Sequence, residues 1–248
     1  MHAAVVWRVT VTLVSIMVVQ ATVCAVAVAP SAWAWLWLFE RTAASSTGVR
    51  VIAFSVATVP SYILFALCLM AASAAAARLT GARTSPNLEM RLAEMDWPLL
   101  SWARYMVGIQ IVRLFAGRLF CGSPVWTAYL RLNGARLGRR VYVNTTSISD
   151  HNLLDVGDDV VVGADVHISG HTVERGILKT AGVRLGRHVT IGLGSTVEID
   201  VEVGEGCEIG AMSFVPKHAR LESGGVYVGV PVRRIAPSHA RESDGHPA

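Results

Sequence analysis

The stretch that decides the fold is residues 185–220, which reads LGRHVT IGLGST VEIDVE VGEGCE IGAMSF VPKHAR when it is written in units of six. Each unit opens with an aliphatic residue, usually followed by Gly, and the fifth position is small. A triangular solenoid needs this pattern, because the first and fifth side chains point into a narrow interior and Gly suits the corners. Six uninterrupted units predict two full coils of a left-handed parallel β-helix.

The same period extends towards the N-terminus. Residues 156–173 give VGDDVV, VGADVH and ISGHTV, and residues 137–153 give LGRRVY, VNTTSI and ISDHNL, the last two sharing Ile148. Residues 174–184 (ERGILKTAGVR) interrupt the repeat, which then resumes in register. A loop inserted at a corner leaves the stacked interior intact, and binding residues tend to lie on such loops.

Outside the solenoid the chain is unusually apolar. Its 248 residues are 52% hydrophobic and 16% charged, with a mean hydropathy of +0.46, whereas about a quarter of a soluble domain is charged. Two segments, 9–28 and 51–77, carry no charge and are long enough to cross a bilayer as helices. A secretory signal is the alternative for the first segment, but its apolar run exceeds the about 7–15 residues of signal cores, so we expect a retained helix.

The distribution of charge predicts the topology. Residues 1–149 carry 13 Arg against 4 acidic residues, whereas residues 150–248 carry 9 basic and 14 acidic residues. The basic excess therefore lies beside the apolar segments, which indicates lipid headgroups rather than nucleic acid. Trp33, Trp35 and Trp37 fit an interfacial aromatic belt between the spans. The arginines after the second span predict a multi-pass protein of the cell membrane with both termini and the β-helix in the cytoplasm.

The segment 97–120 (WPLLSWARYMVGIQIVRLFAGRLF) differs from the two spans because three arginines recur within it. An amphipathic helix in the headgroup plane explains this pattern, although a third crossing is an open alternative. The predicted organisation is therefore two transmembrane helices in 1–80, interfacial helices and a linker in 81–131, the β-helix in 132–236 and a disordered tail in 237–248.

Four of the five histidines in the solenoid units lie between residues 151 and 188. His151, His171 and His188 take the fourth, outward-facing position and His167 takes the sixth. Exposed polar residues are the default there. His171 is the best exception, because it stands just before the loop and Glu174 is close enough in sequence to orient it. An imidazole is the usual general base for an attacking amine or hydroxyl, so we expect His171 to be catalytic.

A metal site is the alternative use of these histidines, because γ-class carbonic anhydrases share the β-helix and bind zinc through three histidines. The spacing of His167 and His171 does not match that family, and no third ligand is evident, so we expect no metal. The four cysteines, at positions 24, 68, 121 and 207, are scattered without a CxxC spacing and indicate neither zinc nor disulfides.

Other polar residues could contact a substrate. Asp150 could anchor an incoming amine, although Asp is also common at turns. The segment from Gly229 through Arg233 (Gly-Val-Pro-Val-Arg) resembles the one with which hexapeptide-repeat acyltransferases close their β-helix. Arg233 and Arg234 come after Pro231 and suit either a phosphopantetheine phosphate or lipid headgroups.

The order of these parts resembles the membrane-bound C-terminal domains of ε-poly-lysine-synthetase-like non-ribosomal peptide synthetases. The most specific pieces are FCGSPVWTAYLRLNGARLG, ISDHNLLDVGDD and GHTVERGILKTAGVRLG. The resemblance implies an acyltransferase-like domain that passes an aminoacyl group from a carrier thioester to an amine. It implies His171 as the base, with Asp150, His151 and Glu174 in the surrounding cleft.

The sequence departs from that family because it shows no adenylation domain, no carrier domain and a single solenoid. We therefore expect either a chain that works with a carrier or adenylation protein in trans or a remnant of a larger synthetase. The donor would be a phosphopantetheine or coenzyme A thioester, with no tightly bound cofactor, and the chain would form a homotrimer. The alternatives are a coenzyme A-dependent O- or N-acetyltransferase and a non-catalytic membrane scaffold.

Overall fold

Two long helices form the N-terminal third of the protein. The computed structural model describes residues 3–235, so the predicted disordered tail at 237–248 lies outside the described residues. Helix α1 (Ala3–Arg41) and helix α2 (Thr47–Thr80) form an antiparallel pair, with mean hydropathies of 2.3 and 2.1 over their most apolar stretches. Both are long and apolar enough to cross a membrane.

Both helices are longer than the predicted spans. Helix α1 continues through Pro30, so Trp33, Trp35 and Trp37 lie on the helix, and their place in an interfacial belt stays a prediction. The two helices are also joined by a hydrogen bond, in which the Ser31 hydroxyl donates to a carbonyl oxygen of α2 at 2.9 Å. Helix α2 ends at Thr80 and is followed by Gly81, whose φ of +66° gives the left-handed conformation typical of a helix terminus.

A helical segment joins these two helices to the β-helix. It consists of strand β1 (Glu89–Arg91), a 3₁₀ turn (Leu92–Glu94), helix α3 (Trp97–Val112), a π-helical turn (Arg113–Gly117), helix α4 (Arg118–Phe120) and helix α5 (Pro124–Leu132). The predicted segment 97–120 is helical throughout and contacts the β-helix near both ends. The Trp102 indole donates to Asp150, and a Cβ on Gly117 would lie 3.1 Å from Thr146. The segment therefore lies across one end of the β-helix, and its depth relative to lipid stays a prediction.

The C-terminal half is the predicted solenoid. Its strands are β2 (Arg136–Leu137), β3 (Tyr142–Val143), β4 (Leu154–Val156), β5 (Val161–Val162), β6 (His167–Ile168), β7 (His171–Glu174), β8 (Ile177–Thr180), β9 (Val183–Leu185), β10 (Thr190–Ile191), β11 (Thr196–Val197), β12 (Val201–Val203), β13 (Glu208–Ile209), β14 (Phe214–Val215), β15 (Arg220–Leu221), β16 (Val226–Val228) and β17 (Arg233–Ile235). Three parallel sheets run β2-β4-β9-β12-β15, β3-β5-β10-β13-β16 and β6-β11-β14, and β17 adds antiparallel to β16. From β4 onward, and apart from the hairpin strands β7 and β8, every third strand stacks, which confirms a parallel β-helix.

The interior follows the six-residue period. Leu185 of β9 pairs with Val203 of β12, and Val203 pairs with Leu221 of β15, so first-position side chains form a column. Burying one such aliphatic side chain stabilises the fold by about 1.5–3 kcal/mol. Ser195, at a fifth position, is fully buried and donates to the carbonyl of Gly210 at 2.9 Å, which shows how a small polar residue is accommodated inside.

The interruption of the repeat is a β-hairpin. Strands β7 and β8 pair antiparallel across a turn at Arg175 and Gly176, both with positive φ, and β1 pairs with the outer edge of β8. Two-residue turns of this kind match the twist of the strands that they join. The excursion begins at His171 rather than at residue 174 as predicted, so His171 belongs to the hairpin and lies beside α3.

Candidate functional site

The structure brings His171 and Asp150 together at the junction of the hairpin, the β-helix and α3. The Nδ1 atom of His171 lies 2.6 Å from Oδ2 of Asp150. The Asp150 side chain is completely buried, whereas 23% of the His171 side chain is exposed. The pair thus has a buried carboxylate on one side of the imidazole and an accessible edge on the other.

Two neutral donors from distant parts of the chain hold the other oxygen of Asp150. The Thr84 hydroxyl donates to Oδ1 at 2.5 Å, and the Trp102 indole N–H donates to the same atom at 3.0 Å. The Trp102 ring also packs edge-on against the His171 ring, with the centroids 4.9 Å apart. Both members of the pair are therefore fixed by the segment that follows α2 and by α3.

The charge of Asp150 follows from this environment. Burial raises the pKa of the carboxyl, but the hydrogen bond and charge of His171 and the hydrogen bonds of Thr84 and Ser149 outweigh it, so the pKa lies below its ordinary value. An ionised carboxylate only accepts hydrogen bonds, so Nδ1 of His171 carries a proton and donates. In neutral His171 this arrangement leaves the lone pair on Nε2.

The accessible nitrogen is therefore the one that can act as a base. Nε2 of His171 makes no hydrogen bond to another group among residues 3–235. An imidazole whose Nδ1–H is held by a buried carboxylate and whose Nε2 is free has the arrangement of a general base in acyl transfer. The pair can accept a proton from a nucleophile and return it to a leaving group.

Local backbone geometry explains the placement of Asp150. The residue has a left-handed backbone with φ of 51°, which Asp tolerates better than most residues. Gly170, just before His171, passes so close that a Cβ there would lie 2.6 Å from Cβ of Asp150. Only glycine leaves room for the buried carboxylate at this position.

The partner of His171 is Asp150, and the prediction that Glu174 orients it is wrong. Glu174 pairs instead with Lys217 of the solenoid. The cause is the extended backbone of β7, in which residues three apart point to opposite faces of the strand. The expectation that Asp150 anchors an incoming amine is also wrong, since both of its oxygens are already occupied inside the protein.

His151 does not line an open cleft, and the prediction that it faces outward is wrong. It lies in a 3₁₀ turn, is completely buried, and is surrounded by the rings of Tyr105, Trp126 and Tyr129. Burial lowers the pKa of His151 to about 4, so the ring is neutral at pH 7. This residue packs the base of the site.

His167 and His188 stay apart from the pair. His167 lies on the outer face of β6, and partial burial of its ring lowers its pKa. His188 is exposed at a corner, with Nδ1 3.9 Å from Asp159. Neither has the combination of a buried carboxylate and a fixed ring that His171 has.

The predicted donor-binding residues lie at the opposite end of the β-helix. Gly229, with φ of +103°, and Pro231 precede β17, which carries Arg233 and Arg234. Arg234 pairs with Glu222 at 2.6 Å. β17 lies four strand spacings, or about 19 Å, beyond β5 in the coil that precedes the hairpin. Within one chain these residues therefore do not join the His171 site, and their contact with a donor stays a prediction.

Known proteins are similar to parts of this chain, although no family model matches it. One is delta-poly-L-ornithine synthetase of Acinetobacter baumannii, which is 23% identical over 136 residues, or 55% of this chain and 10% of that protein. Another is protein YrdA of Escherichia coli, which is 38% identical over 96 residues, or 39% of this chain and 46% of that protein. The chain thus spans a tenth and less than half of these two relatives, and its resemblance to ε-poly-lysine-synthetase-like proteins stays a prediction.

Solved structures similar to the chain carry acyltransferase names. A maltose O-acetyltransferase from Clostridium difficile 630 is 20% identical with a TM-score of 0.44, covering 60% of this chain and 91% of that one. AntD, an N-acyltransferase from Bacillus cereus in complex with dTDP and 3-hydroxybutyryl-CoA, is 22% identical with a TM-score of 0.30, covering 44% and 86%. The β-helix itself rests on the strand pairing of this chain.

Sequence reasoning missed Thr84 and Trp102, which lie 66 and 48 residues before Asp150. No local motif marks them, because each acts through a contact between the helical part and the solenoid. Trp102 lies within the segment 97–120, which the sequence explains as an interfacial helix. In residues 3–235 no group of three or more His, Cys, Asp or Glu side chains is arranged to hold a metal ion.

Proposed function

We propose that the protein is a membrane-bound acyltransferase that moves an acyl or aminoacyl group from a thioester to an amine or hydroxyl. The observation that carries the proposal is the pair of His171 and the buried carboxylate Asp150, with Nε2 of His171 accessible. The left-handed β-helix that the hexapeptide units predict and the name of the similar poly-ornithine synthetase support the same reaction class.

In this proposal the His171 base drives the attack. Nε2 takes the proton of the amine as the nitrogen bonds to the thioester carbonyl carbon. The tetrahedral intermediate collapses with cleavage of the C–S bond, and the imidazolium returns the proton to the departing sulfur. The products are an amide and a free thiol, so atoms and charge balance. Asp150 stabilises the imidazolium while it exists.

The donor in this proposal ends in a phosphopantetheine arm, on either a carrier protein or coenzyme A. Coenzyme A appears in the names of similar solved structures, whereas the sequence resemblance favours a carrier acting in trans. Arg233 and Arg234 lie far from His171 in one chain, so they would reach the donor from a neighbouring subunit. A homotrimer supplies such neighbours.

The site lies next to the helical bundle, which supports action at a membrane surface. Thr84 follows the end of α2 by four residues, and Trp102 belongs to α3. We propose that α1 and α2 span the membrane with both termini on the cytoplasmic side, as the arginine distribution predicts. The thioester donor would then come from the cytoplasm.

The test is donor consumption by the purified full chain in detergent. Release of free thiol is measured from acetyl-coenzyme A and from an aminoacyl-loaded carrier protein, each with a panel of diamines and amino sugars. Amine-dependent thiol release with either donor supports acyl transfer, and the donor that is used separates the two enzymatic alternatives. Binding of the carrier without thiol release favours the non-catalytic scaffold.

A further inference from the structure

We propose that a cavity among the three long helices binds the alkyl end and the acidic head of a short single-chain amphiphile. The cavity has a volume of about 160 Å³ and lies between α1, α2 and α3. Its apolar wall comes from Ile16, Val19 and Val23 of α1 and from Ala76 and Ala77 of α2. Neither member of the His171–Asp150 pair lines it, so the proposal does not depend on acyl transfer.

A cation without a carboxylate partner lies at this cavity. Arg104 of α3 lines it and makes no ion pair with any residue of the described range 3–235. One of its terminal nitrogens donates to Thr12 at 3.3 Å, and its Nε is buried without a hydrogen-bond partner in that range. Nearby Arg8, in contrast, pairs with Asp96 at 2.6 Å.

The unpaired guanidinium favours an anion as the occupant. A buried donor without an acceptor costs about 1–3 kcal/mol, and more when it is charged. Charged groups within helical bundles of membrane proteins accordingly mark ligand sites. An acidic head at Arg104 would supply the missing acceptor and compensate the charge.

A second unpartnered group faces the same space. The side-chain oxygen of Gln20 is buried and has no hydrogen-bond partner in the described structure. Gly108 of α3 lies opposite, and a Cβ there would be 3.6 Å from Nε2 of Gln20 and 3.8 Å from the Ser73 hydroxyl. The missing side chain at Gly108 therefore leaves room between the helices.

The size of the cavity limits the ligand. An apolar cavity of roughly 150 Å³ in another protein holds a molecule of benzene. A space of about 160 Å³ thus accommodates a short alkyl segment, not a whole phospholipid. The lining residues of α1 extend from Ser15 to Val23, about 12 Å along the helix axis, so the chain would run along α1. The head would be a carboxylate or a phosphate.

The test is photolabelling of the full chain in nanodiscs of phosphatidylcholine. A fatty acid with a diazirine on its chain is activated by light, and labelled peptides are mapped by mass spectrometry. We expect labelling within residues 12–23 and 101–109 that octanoate or octyl phosphate displaces and that octanol or inorganic phosphate does not. The better competitor identifies the acidic head. Equal displacement by octanol would overturn the proposal.

Matched variants locate the site. Arg104→Gln removes a charge-assisted hydrogen bond and should weaken competition by octanoate about 10- to 100-fold, and Arg104→Lys should retain most of it. Gly108→Leu should fill the cavity and abolish specific labelling. Arg118→Gln removes an exposed charge from the same helical segment, away from the cavity, and should behave as the unmodified protein. If octanoate competes equally well in the Arg104→Gln protein, the proposed site is refuted, even if the Gly108→Leu protein does not fold.

Discussion

The β-helix carries two His–Asp pairs of the same geometry in different surroundings. His171 lies 2.6 Å from Asp150, and His218 lies 2.7 Å from Asp200. Both aspartates have a left-handed backbone and a lowered pKa, for which the hydrogen bond from His218 is the main cause at Asp200. The contact alone therefore does not distinguish a site from a surface pair.

The difference lies in what else each carboxylate touches. Asp150 is completely buried and receives its other hydrogen bonds from neutral groups, so its negative charge acts on His171. Asp200 is 37% exposed and also pairs with Arg220 at 2.9 Å, and His218 is 70% exposed. Solvent screens the second pair, and an arginine compensates its carboxylate. The helical part of the chain thus turns one of two similar pairs into a site.

The largest expected effect comes from removing each imidazole in turn. His171→Ala should reduce the rate of acyl transfer by about 10²- to 10⁴-fold, because it removes the general base. His218→Ala, which breaks a pair of the same length, should leave the rate unchanged. Thiol release from the donor measures both. If the two variants lose activity equally, the distinction between the pairs is wrong.

Replacing each carboxylate should give the next largest effect. Asp150→Asn keeps the size of the side chain, but its amide can donate to Nδ1 and move the imidazole proton to Nε2, where the base is needed. We expect the rate to fall by about 10²-fold or more, within the range of general-base contributions. Asp200→Asn should have no effect on the rate. An Asp150→Asn protein with full activity would show that Asp150 does not set the tautomer.

His151 adds a third histidine to the comparison, because it is buried but makes no hydrogen bond to an aspartate. The unfolded chain binds a proton at His151 near pH 6.5, whereas the folded chain does so only near pH 4. Stability from neutral His151 is therefore complete above about pH 6.5 and is lost as the pH falls towards 4, by about 3 kcal/mol in all. Thermal unfolding between pH 7 and pH 4 should show this loss.

The matched variants are His151→Phe, which cannot titrate, and His218→Phe at the exposed pair. Stability of the His151→Phe protein should depend less on pH over that window, and the His218→Phe protein should follow the unmodified one. The phenylalanine suits the aromatic surroundings of the ring, formed by Tyr105, Trp126 and Tyr129. An unchanged slope in His151→Phe would assign the pH dependence to other groups.

The solenoid could be predicted from the sequence because the six-residue pattern that specifies it is local. Each six-residue unit places one aliphatic residue inward, and copies such as Leu185, Val203 and Leu221 stack without any contact to the rest of the chain. The same locality predicted that His171 stands at the excursion. The prediction failed for His151. The unit ISDHNL forms a 3₁₀ turn under α5, so its fourth residue no longer faces outward.

The surroundings of the site could not be predicted in the same way. Asp150 and His171 are 21 residues apart, and only the strand stacking brings them together. Thr84 and Trp102 reach the carboxylate from a helical region with no repeat to fix its register. Glu174 was the nearest acidic residue in sequence, but strand geometry directs it to Lys217. Proximity along the chain was thus a poor guide where tertiary contacts decide.

The smallest effect is expected from a variant that removes only one of the contacts that distinguish the two His–Asp pairs. Thr84→Val keeps the shape of the side chain but deletes the 2.5 Å hydrogen bond to Asp150. A hydrogen bond to a charged group contributes about 1.5–3 kcal/mol, and since the Trp102 bond remains, we expect an approximately tenfold loss of rate. Thr84→Ser should restore activity, as a positioning role requires. Thr80→Val, in the last turn of α2, deletes a hydroxyl that bonds only within its helix and should not alter the rate. Full activity of Thr84→Val would show that burial of the carboxylate, and not the hydrogen bonds from the helical part, distinguishes Asp150 from Asp200.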